Sequence, residues 1–333
     1  MEKILKRIGQ LFVMSFEGET PPERFLRFLA SEQIGGIILF EANCPSHAQA
    51  RDNIRLINRR ITNVPPLIAI DQEGGPGCRL KGAPVEYAAA ADYAARNDLE
   101  GFTEDYARAV VLMSTLGINL NLAPVADIAL NDDNQCLSGR CYGSDPQSVS
   151  RFVRASVRVA KSHRMLSCLK HFPGLGEAKI DPHKAMATVD YDRVLWEQRE
   201  MVPFLAGTEV GADLIMTTHL LADKIDNRIA TASKTICSEM IRRNLDFDGP
   251  IITDDLTGMK GVDSLGSYGE RAVAAFMAGH DLLLFCNSYE AGMEAYEYFR
   301  DAVESGDIPK EQVRESLDRV AGVKLKLRHS VVV

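Results

Sequence analysis

The sequence lacks a basic excess: 38 Lys and Arg stand against 46 Asp and Glu, a formal charge of −8 over 333 residues. Gripping a phosphate backbone needs a cationic footprint, so nucleic acid is not an expected partner. Long apolar runs are also missing. No segment approaches the roughly eighteen uninterrupted apolar residues of a membrane span, so a soluble protein without a membrane partner is expected. The start, MEKILKRIGQLFVMSFEGE, has the basic-then-apolar order of a secretory leader. However, Lys6, Arg7 and Gln10 interrupt the apolar run, no small-residue cleavage site follows, and Glu17 arrives too early. It reads as an amphipathic helix leading into a strand.

Paired cysteines are absent as well. The seven, at 44, 78, 136, 141, 168, 237 and 286, are odd in number and scattered, with no CxxC pair. Cys168 and Cys286 lie inside apolar strand-like runs, where a thiol behaves as a small buried hydrophobe, and the set fits a reducing cytoplasm. Cys136 and Cys141 have no accompanying ligand cluster, so neither a metal nor a cofactor is expected. No internal repeat, low-complexity stretch or Pro/Ser-rich linker marks a second domain. Residues 1–333 therefore read as one catalytic domain; nothing in them specifies an oligomeric state.

What is present is ordinary globular composition, 46% hydrophobic and 25% charged, and enough chain for a large core. Short β-branched runs alternate with helix-patterned stretches, the usual signal for parallel strands with crossover helices. There are eight such runs: Leu11 to Phe16, Ile34 to Phe40, Leu67 to Asp71, Ile118 to Ala123, Leu166 to His171, Asp213 to Thr217, Pro250 to Asp254, and Asp281 to Cys286. Eight strands in this length predict an α/β fold of the (β/α)8 TIM-barrel type rather than an open sheet. DLEGFTEDYARAVVLMSTLG predicts a helix capped by Gly117, GERAVAAFMAGH one that ends near Gly279, and IPKEQVRESLDRVAGVKLKL one that starts near Pro309.

Polar and glycine residues concentrate just after the strands, where the catalytic groups of barrels project. IAI is followed by Asp71-Gln72-Glu73-Gly74-Gly75, LSCL by Lys170-His171-Phe172-Pro173-Gly174, and PIIT by Asp254-Asp255. A carboxylate at the end of an apolar strand is costly to desolvate and needs partners or a task. For Asp254 the alternatives are catalysis and capping of the next helix, and one of the two adjacent acids is expected to cap. Lys170 and His171 are consecutive, so one could enter the barrel mouth and the other follow its rim. In Asp181-Pro182-His183 the spacing lets a carboxylate accept a hydrogen bond from one ring nitrogen and leave the other for proton transfer; a solvated loop histidine is the bland alternative. Asp71, Arg79, Asp127, Arg140 and His219 also follow apolar runs, each explicable singly as a surface ion-pair partner. Gathered in one cleft, such groups suit a hydroxyl-rich ligand, and a carbohydrate is the natural substrate class.

At these residues the chain resembles glycoside hydrolase family 3, and within it the β-N-acetylhexosaminidase branch. The matching pieces are IAIDQEGG, NLNLAPVADI, LKHFPGLG with D-x-H downstream, MTTH and FDGPIITDDLTGMKG, in the family's order from about residue 10 to about residue 290. The resemblance implies a retaining mechanism. Asp254 would be the nucleophile, His183 the proton donor and acceptor with Asp181 tuning it, and Asp71, Arg79, Arg140, Lys170 and His171 the sugar-binding residues. The β-glucosidase-like branch typically takes its acid/base carboxylate from an added domain, and the missing linker favours His183. Three positions depart from the family pattern: Pro76 replaces an Arg, Leu175 replaces the histidine of PGHG, and Lys184-Ala185-Met186-Ala187 follows the D-x-H. The expected reaction is release of terminal β-linked N-acetylglucosamine. A phosphorylase using the same site and a catalytically degenerate sugar-binding barrel are the alternatives.

Overall fold

The computed structural model describes residues 2–61, 64–181 and 184–328. Eight parallel strands form one sheet: β1 (Phe12–Met14), β2 (Gly36–Leu39), β3 (Leu67–Ile70), β4 (Leu120–Asn121), β5 (Leu166–Phe172), β6 (Leu214–Thr217), β7 (Ile251–Thr253) and β8 (Leu283–Phe285). Each falls within or overlaps one of the expected runs. Neighbours in sequence are neighbours in the sheet, and β8 pairs with β1 through Phe12 opposite Leu283 and Met14 opposite Phe285. A parallel bridge between Ile252 and Leu282 joins β7 to β8, with Thr253 N donating to Leu282 O at 3.1 Å, and so closes the ring. The result is a (β/α)8 barrel.

Every residue of these strands is buried, because one face packs inside the barrel and the other against helices; hence the runs are continuously apolar rather than alternating. Helices follow each strand, among them His47–Arg60 after β2, Pro146–Ser162 after β4 and Tyr268–Ala278 after β7. The anticipated stops hold. Asp98 caps Leu99–Leu116 by accepting from Gly101 N at 2.9 Å, and Gly117 ends the helix at φ +97°. Gly279 ends Tyr268–Ala278 at φ +121°, and Lys310–Arg328 follows Pro309.

The start of the chain differs from expectation. Instead of one amphipathic helix, Glu2–Leu5 and a 3-10 turn at Ile8–Leu11 precede β1. Gly9 sits against the backbone of Glu32, where an added Cβ would come 2.0 Å from its carbonyl oxygen, so the chain is held to the tighter turn by tertiary contact. Cys168 is fully buried as expected, but Cys286 is only half-buried and lines the cleft described below. Among the described residues no helix is long and apolar enough to cross a membrane, and no group of three or more His, Cys, Asp or Glu is arranged to hold a metal.

Candidate active site

The C-terminal ends of the strands open onto a cleft of about 320 Å³. Its lining includes Asp71 and Glu73 beyond β3, Arg140 from the long connection after β4, Lys170 and His171 at the end of β5, and Asp254 beyond β7. Parallel strands closed into a ring put these distant positions around one mouth.

Lys170 is 2% exposed and donates to Asp71 Oδ1 at 2.6 Å and to Glu73 Oε1 at 2.5 Å. Arg140 forks onto Glu73, through Nε to Oε2 at 2.7 Å and through Nη2 to Oε1 at 2.9 Å, while Nη1 donates to Cys136 O at 2.8 Å. Two cations thus meet two carboxylates, the balance that makes buried charge tolerable. Burial by itself would raise the pKa of Glu73, but Arg140 and Lys170 outweigh it and hold the carboxyl well below its usual range. The reciprocal effect raises Lys170 and Arg140, against a burial that would lower them. The cluster is a fixed ionic floor at neutral pH.

Asp127, 1% exposed, orients His171. Its Oδ2 accepts from His171 N at 3.0 Å and lies 2.6 Å from Nδ1, and Oδ1 accepts from Leu175 N at 2.6 Å. The other ring nitrogen, Nε2, lies 3.3 Å from Arg140 Nη2. Lys170 and His171 therefore both line the mouth, and neither follows the rim. Arg79 completes this side, its guanidinium 5.8 Å from the Phe40 ring centre and 3.9 Å from Asp71 Oδ2.

The adjacent acids beyond β7 both border the cleft but differ in their contacts. Asp255 is wholly engaged: it accepts from Thr257 N at 2.9 Å, Gly258 N at 2.8 Å, Cys286 N at 2.9 Å and Asn287 Nδ2 at 2.7 Å. It caps the turn and ties it to β8. Asp254 lines the cleft, accepting from Asp255 N at 2.8 Å and from the Thr218 hydroxyl at 3.4 Å.

Asp181 is half-buried, and its carbonyl accepts from Lys184 N at 2.8 Å and Ala185 N at 3.2 Å. His183 lies outside the described residues. His219 is not in the cleft: fully buried, it contacts the Thr231 hydroxyl at 2.6 Å and Asp255 O at 2.8 Å, bracing the turn that presents Asp254. Pro76 and Leu175 both line the cleft, and with Phe40, Met216 and Met259 they supply apolar lining among the charges. Cys136 also borders it. Burial pushes its thiol up to about 11, opposed by Arg140 and reinforced by Asp181, Asp254 and Asp127, so it remains protonated at neutral pH.

Sequence reasoning missed Glu73. The signal was present, because residues i and i+2 at a strand end share a side, and Glu73 stands two beyond Asp71. The buried role of Asp127 was hidden by treating it singly.

The chain has known relatives. A family model described as the glycosyl hydrolase family 3 N terminal domain matches residues 3–323. The chain belongs to glycoside hydrolase family 3. A β-hexosaminidase of Photobacterium profundum is 32% identical over 266 residues, covering 79% of this chain and 78% of the relative. β-Hexosaminidase A of Pseudoalteromonas piscicida is 29% identical over 343 residues, covering 93% of this chain and 56% of that protein. Among solved structures, a family 3 β-N-acetylglucosaminidase from Paenibacillus sp. str. FPU-7 superposes with a TM-score of 0.93 at 31% identity, over 99% of this chain and 63% of the other. The family 3 barrel described here thus spans little more than half of two of these counterparts and about four-fifths of the third.

Proposed function

We propose that this protein is a retaining β-N-acetylhexosaminidase that releases terminal β-linked N-acetylglucosamine, with residues 1–333 acting as one catalytic domain. The observation that carries the reading is the placement of Asp254 at the end of β7, in the same cleft as the Lys170, Asp71, Glu73 and Arg140 cluster. The names of the relatives support the choice of sugar.

In this mechanism a sugar is held through its hydroxyl and acetamido groups by Asp71, Arg79, Arg140, Lys170 and His171. Asp254 attacks the anomeric carbon as His183 gives its proton to the departing glycosidic oxygen. A glycosyl ester on Asp254 forms and the aglycone leaves as an alcohol. His183, now neutral, takes a proton from water; the hydroxyl adds to the anomeric carbon, the ester bond breaks, and the configuration is retained. Asp181 accepts a hydrogen bond from the other ring nitrogen and supports the imidazolium. A neutral imidazole avoids the repulsion that a carboxylate would exert on an acidic substrate group, which fits muropeptide-like fragments in a bacterial cytoplasm. The unpaired state of all seven cysteines accords with that compartment.

The test compares an aryl β-N-acetylglucosaminide with the matching glucoside, with and without phosphate. Preferential hydrolysis of the first, unaffected by phosphate, and its loss in Asp254→Ala with sugar binding retained, are expected. Sugar phosphate as product, or an active Asp254→Ala, would overturn the reading. Full turnover by His183→Glu with an unchanged pH profile would remove the imidazole argument.

A further inference from the structure

Residues 178–189 carry Asp181 and, outside the described residues, His183, and the two ends of this segment are tied through a single carboxylate. The first arm is fixed to the barrel. Asn134 Nδ2 donates to Leu175 O at 2.9 Å and Asn131 Nδ2 to Ala178 O at 3.1 Å. Gly174, at φ +126°, packs so closely that an added Cβ would fall 2.6 Å from Glu200 Cγ. The second arm returns as Ala187–Thr188, in a short parallel ladder with Leu220–Leu221, and Val189 N donates to Leu221 O at 3.1 Å.

Glu177 joins the arms. Its Oε2 accepts from Asp190 N at 3.0 Å, and its Oε1 accepts from Arg199 Nη2 at 2.7 Å. Arg199 also donates through Nε to Glu200 Oε1 at 2.6 Å, and its Nη2 contacts the same oxygen. Glu177 and Arg199 side chains are 25% and 21% exposed and Glu200 only 2%, so solvent screens these pairs less than it would surface pairs. Burial disfavours the charge on Arg199, yet the two carboxylates outweigh it and raise its pKa. None of the three side chains is among the lining of the cleft.

Pinning the ends of a loop removes much of its conformational freedom, and proton transfer to a leaving group tolerates little misplacement of the donor. We propose that Glu177 and Arg199 are positioning residues: their clamp sets where the described part of the segment that carries Asp181 stands. The inference rests on the assignment of His183 as proton donor made above.

The test uses the whole protein with Glu177→Ala, Arg199→Ala and Arg199→Lys, and has two readouts. The first compares p-nitrophenyl and methyl β-N-acetylglucosaminides, since the nitrophenolate leaves with little protonation and the alkoxide does not. With the clamp broken, kcat/KM for the methyl glycoside falls about tenfold or more, that for the nitrophenyl glycoside changes by less than about twofold, and Arg199→Lys recovers part of the loss. The second readout is tryptic cleavage after the exposed Lys179 and Lys184, expected to be several-fold faster in the Ala variants. Glu177→Gln keeps an acceptor for Asp190 N and serves if the Ala variants do not fold. Equal losses on both glycosides, or unchanged cleavage, overturn the clamp. If the wild-type protein hydrolyses neither glycoside while cleavage still accelerates in the variants, the glycosidase reading fails and the loop restraint stands.

Discussion

Glu73 shows how one carboxylate can organise a site that it need not react in. It holds Arg140 and Lys170 at once, so its loss leaves a half-buried arginine without its fork and a buried lysine with Asp71 alone. Removing one member of a buried ionic cluster costs about 3 kcal/mol or more, because the partners stay desolvated. Glu73→Gln is therefore expected to lower the thermal midpoint and raise KM for the glycoside more than it lowers kcat, measured by calorimetry and steady-state kinetics. The neighbouring acids make the opposite contrast. Asp254→Asn should reduce kcat by roughly 10³-fold or more with little change in stability, as for a group that acts in the reaction. Asp255→Asn should chiefly destabilise the turn, since Asp255 accepts from five separate groups in the turn and just after β8. A loss of stability in Asp254→Asn as large as that in Asp255→Asn would reverse the two assignments.

At the scale of elements, the caps are local chemistry that tertiary contacts reinforce. Gly117 ends Leu99–Leu116 at φ +97°, and an added Cβ would lie 2.9 Å from Ile54 Cγ2 on the helix His47–Arg60. Gly117→Ala should cost about 1–2 kcal/mol, from the left-handed backbone alone, read from denaturant midpoints with an unchanged slope. Such positions were legible in the sequence, as were all eight strands, because a strand buried on both faces must be apolar throughout. The start of the chain was not. The pattern of MEKILKRIGQL permits a helix, whereas in the fold Ile8–Leu11 takes the tighter 3-10 turn, with Gly9 packed against the Glu32 backbone and bonded through its carbonyl to Gly35 N.

The whole molecule has a buried cation at its other pole. Lys324, on the last helix, is 2% exposed and donates to Gln10 Oε1 at 2.8 Å and Gly35 O at 2.5 Å, both neutral acceptors. Burial lowers its pKa to about 7, and a neutral amine has two N–H groups for these two bonds. Between about 7 and the ordinary lysine value the unfolded chain holds a proton that the folded chain has released. Stability therefore rises with pH across that window, and the penalty is felt in full below it. Thermal melts of the wild type from pH 7 to pH 8, below the range in which the buried thiols titrate in the unfolded chain, should show this rise, and Lys324→Met should flatten it. An identical slope in the variant would mean that another group is responsible.

The sequence by itself determined the barrel, since eight apolar runs separated by helical stretches leave few other ways to bury both faces of each strand. It also pointed to the positions after the strands, and Asp71, Lys170, His171 and Asp254, which it named there, do line one cleft. It could not say which of Asp254 and Asp255 is held in the turn, that His219 is enclosed behind it, that Glu73 and Asp127 hold the cleft's cations and imidazole, or that Glu177 joins the two ends of the segment that carries Asp181. Those are decided by contacts between segments far apart in the chain, as Arg140 on Glu73 and His171 on Asp127. Burial and charge pairing at such contacts exist only once the ring has closed.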